Sequence, residues 1–306
     1  MRYLDPKNDL TFKKIFGEHP NLCISLLNSL LPLEDDELIE TIEYLPAELV
    51  PEIPLLKRTI VDVRCKDFKG RQFIVEMQMY WSTSFAQRVV FNASKAYVRQ
   101  LEKAKEYKSL QPVYALNLVA EEFEVGTTEF YHHYKIVNIE NTEKQLKGLE
   151  FVFVELPKFK AKNILEKKLQ LLWLRFLTEI TDGITEIPVE LSENATIKEA
   201  IDYLQESSFS REELEHYDRY WDSIRTERSV QADAEEKGIV KGKIEGKIEG
   251  KIEGLIEGEQ IGLSKEKQET AFRGFEANLD NEMISKLTGL FVSEVEVFRK
   301  EWEAQK

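Results

Sequence analysis

Residues 57–80 read KRTIVDVRCKDFKGRQFIVEMQMY. Two runs in this stretch, Thr59–Lys66 and Arg71–Tyr80, alternate apolar and polar residues on either side of a short loop. Such alternation is typical of a β-hairpin with one buried face. Both acids of the two strands, Asp62 and Glu76, fall on the polar face of this predicted hairpin. The apolar face is predicted to carry Val61, Val63, Cys65, Phe73, Val75, Met77 and Met79.

The loop also predicts how the two strands pair. A three-residue connection with Gly70 in the left-handed conformation pairs Asp67 with Arg71. Counting back along both strands places Asp62 opposite Glu76, with side-chain origins roughly 4.5–5.5 Å apart. Like charges at this distance destabilise a strand pair, and a hard divalent cation such as Mg²⁺ would remove the repulsion. The alternative is a hairpin with one solvated face and an accidental pair of acids.

Other segments accompany the hairpin. The chain opens with LDPKNDLTFKKIFG at Leu4–Gly17, and a predicted amphipathic helix at Ser82–Tyr107 leads to the apolar strand PVYALNLVA. Asp62 is followed, after thirteen residues, by Glu76-Met77-Gln78. These motifs resemble the PD-(D/E)XK phosphodiesterase core and are most similar to its recombination-promoting nuclease (Rpn) branch, the PD-(D/E)XK family transposases. The resemblance implies an α/β fold of the restriction-endonuclease type, a mixed central sheet flanked by helices, followed by an α-helical C-terminal region.

The resemblance also implies roles for single residues. Asp62 and Glu76 would bind Mg²⁺ or another divalent cation, which polarises the scissile phosphate and activates a water molecule. Gln78 would orient that water or the phosphate. The wider fold usually has Lys at this position, and glutamine supplies neither positive charge nor a titratable group. Arg88 matches a family arginine near the active site, and Asp9 matches an acid that can approach the metal.

Two residues of the first predicted helix have more than one interpretation. Asp9 stands where an N-cap would lie, so it either approaches the metal or only caps the helix. Lys13, like Arg88, either contacts a DNA phosphate or is simply solvated, as exposed basic side chains usually are. The pattern alone leaves both alternatives open.

The charge balance, the apolar runs and the cysteine spacing limit the partners that this chain is expected to have. The chain has 42 Lys and Arg against 56 Asp and Glu, a net charge of −14, whereas phosphate-binding surfaces are normally basic. Residues 1–110 hold 16 basic and 16 acidic side chains, so the acidic excess lies further on. No apolar run approaches the ~20 residues needed to cross a bilayer, and the two cysteines lack metal-type spacing. We therefore expect a cytoplasmic protein with no membrane partner and no zinc site.

The C-terminal half changes to helical patterns. We expect a nuclease-like domain at 1–160, a helical region at 161–237, a Gly-rich repeat helix or linker at 238–264, and a helical pair at 265–306. In the helical region, the aromatic side chains of Tyr220 and Trp221 are interpreted as packing residues. The final pair is predicted as helix, Thr288-Gly289 turn and helix, and its acidic second helix favours packing over DNA reading.

A four-residue repeat, GKIEGKIEGKIEGLIEG, occupies residues 242–258. On a helix it forms slowly winding stripes of Gly and Ile, and neighbouring Lys and Glu can pair. Each Gly costs about 1 kcal/mol of helix stability relative to Ala. A partner helix packed on the Gly stripe would offset this cost, so we expect a homo-oligomer through residues 238–264. A frayed linker is the alternative.

The acid pair and the resemblance together favour a metal-dependent DNA endonuclease, and the resemblance implies an association with recombination or transposition. The alternative from another class is a catalytically weak or inactive nuclease-fold protein that acts as an oligomeric interaction module. A third possibility is transposition or recombination together with a partner protein.

Overall fold

The computed structural model describes residues 2–49, 59–101, 106–160 and 169–304. The first eight residues of the helical region expected at 161–237, like Lys57 and Arg58, lie outside these ranges. The strands are β1 (Ile42–Tyr44), β2 (Glu48–Leu49), β3 (Thr59–Ile60), β4 (Val63–Asp67), β5 (Gln72–Gln78), β6 (Val113–Val119), β7 (Tyr131–Asn138) and β8 (Asn141–Glu155). The α-helices are α1 (Asp9–Glu18), α2 (Pro20–Leu30), α3 (Thr83–Val98), α4 (Leu169–Glu179), α5 (Val189–Ser192), α6 (Ala195–Asp202), α7 (Arg211–Glu276), α8 (Asn281–Thr288) and α9 (Val292–Ala304).

A mixed six-stranded sheet forms the centre of the first of two units, Met1–Thr226. Its strand order is β1-β4-β5-β6-β8-β7. The three central strands β5, β6 and β8 run parallel, and the outer pairings are antiparallel. Strands β2 and β3 pair separately. The expected mixed sheet with flanking helices is therefore confirmed.

The hairpin of β4 and β5 has the predicted register. Val63 pairs with Val75 and Cys65 with Phe73, and the Asp67 amide donates to the Arg71 carbonyl oxygen. The connecting loop closes with Gly70 at φ +82°, a conformation that glycine adopts without strain. Continued by one residue, this register places Asp62 opposite Glu76.

The first strand of the hairpin is shorter than predicted. The run Thr59–Lys66 divides into β3 and β4, because the chain bends at Asp62. Val61 consequently packs with the α3 side of the sheet, whereas Val63 and Cys65 pack on the opposite side. The prediction that all three share one face was wrong, since strict alternation fails at a bend.

Both faces of the sheet are covered. One face packs on α1, α2, α4 and α6 around a core that includes Phe16 and Trp173. The other face, predicted to be polar, packs on α3 through Phe85 and Val89, among other residues. The alternative of a hairpin with one solvated face is therefore wrong, and the acids on that face are inside the protein.

Helix α3 begins as predicted and ends earlier. The Ser82 hydroxyl caps it by accepting from the Phe85 amide at 3.1 Å. The predicted helix to Tyr107 stops at Val98 because Gln100 bonds to both backbone groups of Gln111, at 2.8 and 2.9 Å. These bonds fix the chain after α3 to the segment that begins β6.

The second unit, Glu227–Lys306, contains the end of α7 with α8 and α9. Its small core comprises Ala271, Phe275, Ile284 and Val295. The predicted turn is present, with Gly289 in the left-handed conformation at φ 68°. Of the helices that the structure describes, none has the length and apolarity required to cross a membrane.

Candidate active site

Asp62 lies at the bend that precedes β4. Its Oδ2 atom accepts the backbone N–H of Met77 at 2.7 Å, so the carboxylate takes the place of a strand partner. The side chain is 18% exposed. This bond holds the Asp62 carboxylate at the end of the β4–β5 ladder, beside Glu76.

Glu76 lies on β5 under helix α3 and is 6% exposed. The amide of Asn92, on α3, donates to Glu76 Oε1 at 3.3 Å. Asn117, on β6, is in register with Glu76 and is fully buried. The Oδ1 atoms of both asparagines are buried and have no hydrogen-bond partner among the described residues. The helix and the strand beside Glu76 thus each carry a buried amide whose oxygen atom accepts no hydrogen bond from the described residues.

Burial shifts the pKa of both carboxyl groups. Burial, and then the nearby Asp62 carboxylate, raise the pKa of Glu76 to about 8, against the opposing effects of Arg88, Asn92 and Lys13. Burial raises the pKa of Asp62 to about 6, although the Met77 amide and Lys13 favour its charged form. Without a cation, the site therefore holds protons that water-exposed acids would lose near neutral pH.

Gln78 ends β5 and contacts Arg88. Its Nε2 atom donates to the Tyr80 carbonyl oxygen at 2.8 Å, and its Oε1 atom accepts from Arg88 Nη2 at 2.8 Å. Arg88 in turn favours the charged forms of Asp62 and Glu76. Gln78 carries no charge, but it holds a guanidinium beside the carboxyl pair.

Asp9 and Lys13 approach the site from α1. Asn8, not Asp9, caps this helix by accepting from the Leu10 amide at 3.0 Å, because its side chain precedes the first helical residue. The Asp9 carboxylate lies 2.6 Å from Lys13 Nζ, which is 3.9 Å from Asp62 Oδ1. The structure therefore links Asp9 to the carboxyl pair through the Lys13 ammonium group.

Tyr220, near the start of α7, was interpreted from the sequence as a packing residue. In the structure, burial raises the pKa of its hydroxyl, and the charges of Asp62 and Asp9 raise it further. Tyr80 donates to the Ile224 carbonyl oxygen on the same helix at 2.9 Å. The start of α7 thus lies beside the acids of the site, and no local sequence pattern had indicated this position.

The donor set suits a hard divalent cation. Mg²⁺ binds through one or two carboxylates together with water and phosphate oxygens. Asp62 and Glu76 supply two carboxylates, and the orphaned oxygens of Asn92 and Asn117 lie on the same side of the sheet. In the described ranges, no three or more His, Cys, Asp or Glu side chains are arranged to hold a metal ion. Asp62 and Glu76 are therefore the two acids of this donor set, and the Asp9 carboxylate is paired with Lys13.

Comparison with known proteins identifies the family. The sequence model of the PD-(D/E)XK nuclease family transposases matches residues 6–234. A search of curated proteins finds no match, and neither does a search of solved structures. The matched range covers the hairpin, α3 and the start of α7, and it exceeds half of the chain. The chain therefore belongs to the PD-(D/E)XK nuclease family transposases.

Proposed function

We propose that this protein is a divalent-metal-dependent DNA endonuclease that hydrolyses phosphodiester bonds during recombination or transposition. One observation carries the proposal: two largely buried carboxyl groups, Asp62 and Glu76, face each other across a strand pair, and burial raises the pKa of both, with the Asp62 charge raising that of Glu76 further. A purely structural pair of this kind would only destabilise the fold. Functional sites are where such local conflicts are expected.

Asp62 and Glu76 are the proposed ligands of Mg²⁺ or another divalent cation. The cation would act as a Lewis acid toward the scissile phosphate. Asp62 is held by the Met77 amide and Glu76 by the Asn92 amide, so both carboxylates are oriented before the ion binds. Asp9 remains a proposed third ligand, acting after Lys13 moves away from it.

Arg88 is the proposed replacement for the lysine of the wider fold. Gln78 and Arg88 form one hydrogen-bonded unit, and the guanidinium stabilises negative charge at the carboxyl pair. The same guanidinium suits a phosphate, which it binds through paired N–H groups. In this proposal Gln78 positions Arg88, and it orients water or phosphate only indirectly.

DNA is the proposed substrate, contacted by Arg88 and Lys13. The Lys13 side chain is 39% exposed and lies between Asp9 and Asp62, where it meets both protein and solvent. A phosphate that approaches the carboxyl pair would compete for this ammonium group. Two cations at the mouth of the site offset part of the repulsion between acids and DNA.

Cleavage of supercoiled plasmid tests the proposal. We expect nicking or linearisation by the purified full chain with Mg²⁺ or Mn²⁺, none with excess EDTA, and none by Asp62→Asn. Glu43→Gln is the matched control, because Glu43 is an exposed acid on the neighbouring strand β1, paired with Lys66 at 3.0 Å. A folded wild-type protein that leaves the plasmid intact with both cations would contradict the proposal.

A second candidate function is that of an oligomeric interaction module with weak or no catalysis. It is favoured by the long exposed helix α7, whose repeat places isoleucines in solvent. In this case residues 238–264 would mediate homo-oligomer formation, and Asp62→Asn would change neither metal response nor assembly. The plasmid assay and a mass measurement on the same samples separate the two functions.

A further inference from the structure

The repeat of α7 sorts its side chains into four rows. From residue 242 to 253, Gly, Lys, Ile and Glu each recur at every fourth position. At about 100° per residue, each type forms its own row, which turns about 40° around the helix per repeat. The Ile row lies about 200° from the Gly row, and the Lys and Glu rows lie between them on opposite sides.

The Ile row is the apolar surface of this segment. Ile244, Ile248, Ile252 and Ile256 are each between 52% and 55% exposed. A regularly spaced apolar row on a helix is the pattern that a partner helix covers. The Gly row offers only backbone, and a Cβ atom added at Gly246 or Gly250 would meet nothing within 4 Å. The Ile row thus offers a partner more apolar surface than the Gly stripe on which packing was expected.

The charged rows do not neutralise each other within one helix. A period of four places Lys247 directly after Lys243 on the helix surface, and Glu249 after Glu245. Like charges at this spacing destabilise a helix, whereas the expected Lys–Glu pairs would stabilise it. In the part of the repeat that the structure describes, one such pair lies within 4 Å, Lys241–Glu245 at 3.7 Å. Apart from Glu245, which pairs with Lys241 just before the repeat, the described Lys and Glu side chains of these rows thus have no opposite charge within 4 Å on their own helix.

A second copy of the same helix supplies those partners in only one of the two orientations. A two-fold axis parallel to the helices brings the Ile rows together and places the Lys row of each copy beside the Glu row of the other. An antiparallel pair places Lys beside Lys and Glu beside Glu. The same logic of flanking charges selects orientation in coiled coils.

We infer that residues 242–257 pair with the same segment of a second copy, parallel and in register, through the Ile row. Because the apolar period of four exceeds 3.6 residues, the two helices wind around each other with a right-handed sense, which keeps the Ile rows in contact along the segment. This pairing does not depend on nuclease activity. Seven glycines at positions 238 to 262 weaken the single helix, so the repeat needs its partner to remain helical.

Single-cysteine cross-linking tests the orientation directly. In a parallel, in-register pair, identical positions face each other, so Ile244→Cys alone and Ile256→Cys alone each give a disulfide-linked dimer on mild oxidation. An antiparallel pair centred on Gly250 cross-links only when the two variants are mixed. The full chain is used throughout, and the wild type is the background control, since Cys23 and Cys65 are both buried.

Gly250→Cys is the matched control on the opposite row. We expect its cross-linking to be at least tenfold slower than that of either isoleucine variant. Equal or faster cross-linking at Gly250 would show that the Gly row is inside, and dimers formed only on mixing would show an antiparallel pair. Either result, or a wild-type chain that sediments as a monomer at micromolar concentration, overturns the inference.

Reversal of one charged row gives an independent test. Changing Lys243, Lys247 and Lys251 to Glu should weaken association at least tenfold in low salt, and the additional change of Glu245, Glu249 and Glu253 to Lys should restore it. In an antiparallel pair the first change replaces Lys–Lys contacts by Glu–Glu contacts. Association unaffected by the first change would therefore contradict the parallel arrangement.

Discussion

The carboxyl pair under α3 and the repeat of α7 place their charged side chains in opposite environments, one buried and one exposed. Glu76 is 6% exposed, and the groups around it come from distant segments: Lys13 from α1, and Arg88 and Asn92 from α3. In the repeat, every side chain is exposed and its neighbours are local. Burial leaves Glu76 with a proton that a metal ion can replace. Regular exposure leaves the repeat with rows that another copy can neutralise.

The largest expected effect separates an acid of the site from an acid of the repeat. Glu76→Gln should lower the rate of Mg²⁺-dependent DNA cleavage by about 10²-fold or more, because a metal ligand contributes several kcal/mol to transition-state stabilisation. Glu249→Gln, the same change in the repeat, should leave the rate within about twofold. Single-turnover cleavage rates measure both. Equal losses in the two variants would remove the distinction between the regions.

Replacement of Arg88 should change the cleavage rate less, and it should change the divalent-ion affinity in the opposite direction. Arg88→Gln removes a cation from the carboxyl pair, so divalent-ion affinity should rise while the cleavage rate falls about tenfold. Arg211→Gln, at an exposed arginine of α7, is the control and should change neither quantity. Metal titration and cleavage rates on the same preparation provide the readout. A joint loss of affinity and rate would instead assign Arg88 a general structural role.

The raised pKa of Glu76 predicts a pH-dependent stability. In the unfolded chain its carboxyl ionises near 4.5, whereas in the folded protein it stays protonated up to about 8. Between these values the folded state binds more protons, so its stability falls as pH rises. Without metal, Glu76→Gln should gain stability relative to the wild type from pH 5 to pH 8, by about 1.4 kcal/mol or more.

Denaturant unfolding in EDTA at pH 5, 6, 7 and 8 measures this difference. Glu43→Gln serves as the exposed control and should track the wild type at every pH. A constant difference between Glu76→Gln and the wild type over this range would mean that the Glu76 carboxyl ionises normally in the folded state.

Much of the site was predictable because it follows from local pairing. The turn at Gly70 determined the register, and the register brought Asp62 opposite Glu76. Asn92 and Asn117 were not singled out, although each is a polar residue in an otherwise apolar pattern. Their significance depends on α3 and β6 packing beside β5, which no single segment encodes.

The sequence predictions that were wrong or incomplete also have physical causes, since each depends on a contact that the local pattern does not contain. Asp9 matched the preference for acids at helix starts, yet Asn8 forms the cap and leaves Asp9 for Lys13. The long strand at Thr59–Lys66 was broken because Asp62 accepts the Met77 amide instead of continuing the alternation. The position of Tyr220 beside the acids results from a contact more than 150 residues away in sequence.

The smallest expected effect distinguishes two glycines of α7. Gly250→Ala should stabilise the helix by about 0.5–1 kcal/mol, because a Cβ atom there meets open space. Gly274→Ala should destabilise the second unit, since its Cβ atom would lie 2.9 Å from Ile284 Cγ1. Thermal unfolding followed by circular dichroism compares the variants. Stabilisation by both changes would mean that α8 does not pack closely on α7.

Calorimetric titration of Mn²⁺ into the metal-free full chain tests the central claim most directly. At pH 7 we expect binding by the wild type, with a heat that depends on the buffer because Glu76 releases its proton when the ion binds. Glu76→Gln should lose this binding, and Glu43→Gln should retain it. Equal binding by wild type and Glu76→Gln, or binding without proton release, would contradict the assignment of the carboxyl pair as the metal site.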